Sequence, residues 1–335
     1  MPKGVCSEWR ASLATFLLLQ DREGTWRNHI DGTHGKGETA VFRGIFAPIP
    51  TPFVDEEIAY DKLEENVAKW GKTRLAGLVV FGSNGEAPYI DEDEKVEVWS
   101  FVRKCLPKDK VMIAGAGMES TRATIRLVRK AAQAGADAAL VLNPSFFKAN
   151  MKDAALETYY KDVADASPIP ILVYNMPGNT ALNISSSLVV RLSQHPNIVG
   201  VKDSSGNIVQ ISEILRGVPD DFSVFAGSAS FLLPSVIMGA VGGTLATANV
   251  VPDLCVELLE LATQGRIQEA QKLQKSLLAL NAAVTSRFGV AGLKAALDMI
   301  GYYGGPPRRP MLPAGEPEKA EIRRILTELG LPLVE

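Results

Sequence analysis

From Gly44 onward the chain repeats one pattern: a short apolar run, a polar turn, then an amphipathic stretch. Eight such runs stand at residues 45–49, 77–81, 111–114, 138–142, 169–174, 198–201, 223–226 and 243–246. Each is continuous and bounded by Gly, Pro, Asn or Ser, as strands buried on both faces of a parallel sheet require. The stretches between them carry apolar residues at helical spacing: Leu63, Val67 and Trp70 in 60–72, Ile125, Val128 and Ala132 in 120–134, Leu188 and Leu192 in 185–194. Strand–helix alternation builds right-handed βαβ units. Eight of them predict an α/β fold of the closed (β/α)8 TIM-barrel kind. A doubly wound open sheet shares the alternation, but no Gly-x-Gly-x-x-Gly follows the first run, which weighs against a dinucleotide-binding sheet. Further helical patterns between 253 and 329 exceed what a minimal barrel needs. The expected organisation is an N-terminal extension at 1–42, a barrel at 43–250 and a C-terminal helical region at 251–335.

Composition narrows the function classes. With 46% apolar and 22% charged residues, a well-packed core is within reach. The formal charge is −3 with both signs interspersed, so no basic stripe invites nucleic acid. Cys6, Cys105 and Cys255 are scattered, with no Cys-x-x-Cys pair, which argues against a disulfide framework or a zinc site and for a reducing compartment. The apolar run at 13–19 is too short to span a bilayer, which takes about 20 residues. Residues 222–252 lack any charge but are broken by Pro234, Gly239, Gly242 and Gly243, and read as strand, helix, tight turn and strand. No membrane partner is expected. The extension carries Lys3 and Arg10 but also Glu8, Asp21 and Glu23, so a transit peptide and an ordinary extension both remain open. The cytoplasm is the expected compartment, with the mitochondrial matrix as the alternative.

Barrel chemistry sits where strands give way to loops at their C-terminal ends. The residues there are Thr51, the loop Gly82-Ser83-Asn84-Gly85-Glu86, Gly115, Asn143, Tyr174, Lys202-Asp203-Ser204, Gly227-Ser228 and Ala248-Asn249. The set is small and rich in hydroxyls, with one lysine, one tyrosine, no histidine and no carboxylate pair. A lysine in a barrel mouth loses hydration, which favours the free amine that attacks a ketone to form an imine, an electron sink for carbanion chemistry. The same Lys202 can instead snorkel past the strand end to water. Tyr174 can carry a proton beside an imine or be a buried phenol bonded to backbone. The Gly82–Glu86 loop can hold a carboxylate with Ser83 and backbone amides, or be a tight turn with a capping serine. Glu86 is expected to serve the following helix start, Asp203 to face away from Lys202, and His195 to be solvated at a helix end.

Three segments in this order, Gly82-Ser83-Asn84-Gly85-Glu86, Tyr174-Asn175-Met176-Pro177 and Val199-Gly200-Val201-Lys202-Asp203-Ser204, resemble the family of dihydrodipicolinate synthase and N-acetylneuraminate lyase, the pyruvate-dependent class I aldolases. The resemblance runs from about Arg43 to Leu329. It implies a (β/α)8 barrel followed by helices, Lys202 as the Schiff-base lysine and Tyr174 as the proton-transfer residue. It further implies substrate contacts at Ser83 and Asn84, with Gly85 and Thr244 as additional candidates. It implies a lyase acting on a small-molecule 2-oxo acid, no metal and no cofactor, and a homo-oligomer, a dimer or homotetramer. Within the family, the segment from Leu192 to Gly200 and Gly301-Tyr302-Tyr303-Gly304-Gly305-Pro306 are similar to the eukaryotic 4-hydroxy-2-oxoglutarate aldolases. Asn179 stands where synthases carry an arginine, and Phe146-Phe147 stand where many relatives carry a tyrosine pair used as a proton relay. The expected reaction is cleavage of 4-hydroxy-2-oxoglutarate to pyruvate and glyoxylate.

The alternatives are cleavage of a 3-deoxy-2-oxo-hexonate, dihydrodipicolinate synthesis, and a non-catalytic barrel that binds a 2-oxo acid. A metal-dependent aldolase needs clustered His and acidic ligands, and only three histidines exist, two of them, His29 and His34, in the extension.

Overall fold

The computed structural model describes residues 42–334. Cys6, the 13–19 run, His29, His34 and almost all of the extension lie outside the described residues. The barrel strands are β1 (Gly44–Ile49), β2 (Gly77–Val80), β3 (Val111–Gly115), β4 (Ala138–Leu142), β5 (Ile171–Asn175), β6 (Ile198–Asp203), β7 (Ser223–Ala226) and β8 (Gly242–Thr244). Each pairs in parallel with its neighbours, and β8 closes on β1 with Gly44 opposite Gly242 and Phe46 opposite Thr244. All eight expected runs are therefore strands of one closed barrel.

Alternation along each strand separates two apolar layers. Phe46, Val79, Ile113, Leu140, Leu172 and Phe225 point inward and fill the barrel, with the Phe46 and Phe225 rings edge to face at 5.6 Å. Ala47, Val80, Ala114, Val141, Val173, Val201 and Val224 point outward to the helices. These are α1 (Tyr60–Gly71), α2 (Glu92–Cys105), α3 (Thr121–Gln133), α4 (Asp153–Ala166), α5 (Ser186–Leu192), α6 (Ile208–Gly217), α7 (Leu232–Ile237) and α8 (Pro252–Thr263). The α1 face carries Leu63, Val67 and Trp70 inward, as their spacing predicts. The face of α3 differs from expectation: Thr124, Leu127, Val128 and Ala131 are buried, and Ile125 and Ala132 only partly so. The Thr124 hydroxyl lies 3.0 Å from the Tyr159 hydroxyl, which gives this threonine a partner on the buried face beside Leu127, Val128 and Ala131.

The uncharged stretch at 222–252 forms β7, α7, a turn and β8. No helix among the described residues is long and apolar enough to cross a membrane. Helix α8 covers β1 and also begins the helical region, which continues with α9 (Ile267–Ala282), α10 (Gly289–Met299) and α11 (Glu316–Glu328). Between α10 and α11 a strap at 300–315 runs back over the barrel rim.

Candidate active site

The rim of the barrel brings Lys202, Tyr174 and Ser83 together. Strands β5 and β6 pair with Tyr174 opposite Lys202, so both side chains point into the barrel mouth. Val199 bulges between Ile198 and Gly200, and this shift puts Lys202 in phase with the tyrosine. Lys202 Nζ lies over the Tyr174 ring, 4.1 Å from its centroid, and both residues are only 4% exposed. Among the described residues Nζ has no carboxylate partner and no hydrogen bond; it meets the negative face of the phenol ring. The Tyr174 hydroxyl is 3.2 Å from Ser83 Oγ. Of the two readings of this tyrosine, the buried phenol bonded to backbone is not what the structure contains.

The loop after β2 is one tight turn, Ser83–Gly85, with Gly85 N–H donating to Gly82 O at 3.0 Å and Glu86 N–H to Ser83 O at 3.2 Å. The Gly85 amide is thereby occupied within the turn. Its oxygen accepts from Thr51 Oγ1 at 2.8 Å, and a Cβ at this position would lie 3.1 Å from the Ile49 carbonyl, so close passage is what Gly85 provides. Asn84 Nδ2 is buried with no hydrogen-bond partner among the described residues. The Ser83 hydroxyl and the Asn84 amide are thus the side-chain donors this loop offers a ligand. Thr244 pairs in register with Phe46 and is 3% exposed, and among the described residues no hydrogen bond joins it to Lys202, Tyr174 or Ser83.

Several residues differ from their sequence reading. Asp203 does face away from Lys202, but as the centre of a network: its carboxylate accepts from Asn175 Nδ2, Gln210 Nε2 and Ser205 N–H, each at 2.8 Å. Glu86 caps no helix. That task falls to Glu94, whose carboxylate accepts from Asp91 N–H at 2.8 Å, while Glu86 is buried in an ion pair with Lys294 at 2.6 Å. His195 is paired rather than solvated, its Nε2 3.0 Å from Asp165 Oδ1 and its Nδ1 accepting from Asn197 N–H at 3.1 Å. Asn249 and Ser228 are structural: Asn249 Nδ2 donates to Pro48 O at 3.0 Å, and Ser228 Oγ to Asn281 Oδ1 at 3.1 Å. Ser204 Oγ is a buried hydroxyl packed against Gly227 and has no hydrogen-bond partner among the described residues. Phe146 and Phe147 are 77% and 68% exposed. Among the described residues no three His, Cys, Asp or Glu side chains gather as a metal site would require.

Residues 41–329 match the dihydrodipicolinate synthetase family. The chain belongs to that family. It is 38% identical over 291 residues to a probable mitochondrial 4-hydroxy-2-oxoglutarate aldolase of Emericella nidulans, covering 85% of this chain and 94% of the relative. It is 39% identical over 283 residues to the L-threo-3-deoxy-hexylosonate aldolase of Hypocrea jecorina, covering 80% and 90%. The crystal structure of dihydrodipicolinate synthase from Aquifex aeolicus superimposes with a TM-score of 0.84 at 29% identity, over 88% of this chain and 100% of that one. As a member of this family of aldolases and synthases, the protein is a carbon–carbon lyase with a TIM-barrel fold.

Proposed function

We propose that the protein cleaves 4-hydroxy-2-oxoglutarate to pyruvate and glyoxylate through an imine on Lys202. The observation that carries this reading is the convergence of Lys202, which has no carboxylate partner among the described residues, one tyrosine hydroxyl and the Ser83–Asn84 donors at the barrel mouth. Lys202 Nζ adds to the C2 carbonyl and water leaves, giving the imine. Tyr174 gives its phenol proton to the departing water as the protonated imine forms, and the resulting phenolate takes the proton of the C4 hydroxyl as the C3–C4 bond breaks. The bonding pair moves into the imine to form an enamine, and glyoxylate departs. Protonation at C3 and hydrolysis release pyruvate and restore the amine. Ser83 Oγ and Asn84 Nδ2 hold the C1 carboxylate. Gly85 shapes the turn, and Thr244 bounds the pocket from β8.

A second reading is cleavage of a 3-deoxy-2-oxo-hexonate. It is favoured by the Hypocrea relative and by Asn179, whose Nδ2 donates to Ser83 Oγ at 3.4 Å and offers a neutral amide suited to sugar hydroxyls. The same residue, in the place of a cationic side chain, weakens the synthase alternative. We place the protein in the cytoplasm, with the mitochondrial matrix as alternative, and as a homo-oligomer. The exposed Phe146–Phe147 pair, which offers no hydroxyl for a proton relay, supports self-association on that face.

The test is intact-mass spectrometry after incubation with pyruvate and borohydride, followed by peptide mapping. A reduced pyruvyl adduct on Lys202, absent in Lys202→Ala, is expected, and turnover of the two candidate substrates then ranks the readings. Pyruvate binding without an adduct would leave a non-catalytic barrel in first place.

A further inference from the structure

The loop that carries Ser83 and Asn84 is fastened from behind by the C-terminal region. Glu86 ends the turn in the left-handed conformation, φ 59° and ψ 33°, which a residue with a side chain adopts only when its surroundings hold it there. What holds it is remote in sequence. Glu86 Oε1 meets Lys294 Nζ of α10 at 2.6 Å, with side-chain exposures of 0% and 1%. Glu86 Oε2 accepts from the backbone N–H of Arg308 in the strap at 2.7 Å. Lys294 also donates to Pro306 O at 2.8 Å and sits 4.5 Å from the Phe53 ring centroid. Arg308 is itself locked by both guanidinium amino groups on the Glu94 carboxylate, at 2.8 and 2.7 Å, and by the Glu56 and Tyr89 carbonyls.

Burial pushes the Glu86 carboxyl up and the Lys294 ammonium down from their ordinary values, while their mutual attraction opposes both shifts. A buried pair of this kind is a poor source of stability compared with apolar packing. The hydrogen bonds from Arg308 N–H to Glu86 Oε2 and from Lys294 to Pro306 O instead select one conformation of the turn, and preorganised ligand donors need that support. We propose that Glu86 and Lys294 are positioning residues through which the C-terminal region sets the Ser83–Asn84 turn for the carboxylate of the 2-oxo acid. The inference rests on the reading of that turn as the carboxylate site. Glu86 points from the turn toward α10 and the strap, and Lys294 meets it there from α10, beside the Pro306 carbonyl of the strap.

The experiment compares reductive trapping of Lys202 with two carbonyl compounds, pyruvate and acetone, in the presence of cyanoborohydride. Both form the same kind of imine, and only pyruvate carries a carboxylate. In Glu86→Gln, which keeps the side-chain shape, the pyruvate rate falls about tenfold or more, as a misplaced binding group implies, while the acetone rate is unchanged. Arg308→Gln loosens the strap from its more exposed side and changes the ratio in the same direction, so it decides the matter if Glu86→Gln does not fold. An equal fall with both compounds, or no fall with either, overturns the inference. Absence of any adduct in the unaltered protein is a separate failure, that of the Lys202 reading itself.

Discussion

Tyr174 stands beside Lys202 with its ring under the amine and its hydroxyl toward Ser83, so packing and chemistry are divided between two parts of one side chain. Tyr174→Phe removes the hydroxyl and keeps the ring. Turnover should then drop by about 10²- to 10⁴-fold, the usual contribution of a positioned proton carrier. KM should move far less, because the hydroxyl acts mainly in the transition state. Steady-state kinetics check this, and a rise in KM with unchanged kcat would assign the hydroxyl to binding. Lys202, Tyr174, Ser83 and Asn84 were legible in the sequence because each sits at or just beyond a strand end, where the fold itself aims side chains into the mouth. Glu86 was not legible. Its partner in the strap, Arg308, is 222 positions away, and no local pattern reports a contact that only the closed fold creates. Lys294 left one trace, a lone lysine within Gly292-Leu293-Lys294-Ala295-Ala296-Leu297. A charge on an otherwise apolar helix face needs a buried partner.

Register between β5 and β6 makes the Tyr174–Lys202 pair, and the next register pair is Asn175 with Asp203. Hydrogen bonds from Asn175, Gln210 and Ser205 to the Asp203 carboxylate tie these strands to each other and to α6 on the outer side. Asp203→Ala would remove the shared acceptor of four hydrogen bonds, from Asn175 Nδ2, Gln210 Nε2, Ser205 N–H and Ser205 Oγ, so a loss of about 3 kcal/mol or more is expected in urea unfolding. A loss below about 1 kcal/mol would mean that water reaches the network. Between α2 and α3 the link is electrostatic. Hydrogen bonds from Arg126 and Lys130 hold the Glu92 carboxyl at about 2. With the folded value depressed, this pairing stabilises the fold above the ordinary carboxylate range and is lost as pH falls toward 2. The contribution is below about 1 kcal/mol, since surface pairs are screened. Glu92→Gln should therefore lower stability slightly at neutral pH and not at pH 2, as acid titration of the unfolding midpoint would record. Strand existence was legible here, and helix phase was less so. In α3 the buried arc runs through Thr124, Leu127, Val128 and Ala131, opposite Arg122, Arg126 and Arg129, so the charged residues mark the phase that Ile125 alone does not.

At the scale of the molecule, two bodies that the sequence separates, barrel and C-terminal helices, are joined through a buried ion pair at the active-site rim. The eight apolar runs announced the barrel because a closed parallel sheet buries every strand on both faces and so imprints itself locally. The junction imprints nothing local, and its energetics have a distinct signature. Lys294→Met removes the partner of a carboxylate that is fully covered, and a buried charge left alone destabilises by about 3–5 kcal/mol. Glu86→Gln combined with Lys294→Met removes both charges, so most of that loss should be recovered, giving a strongly non-additive cycle in thermal or urea unfolding. Additive losses would mean that the two side chains act independently in solution. Recovery of stability without recovery of the pyruvate-over-acetone preference would separate the two roles of the junction. The helices would then need the pair only to satisfy its charges, while the carboxylate turn would need its directed bonds.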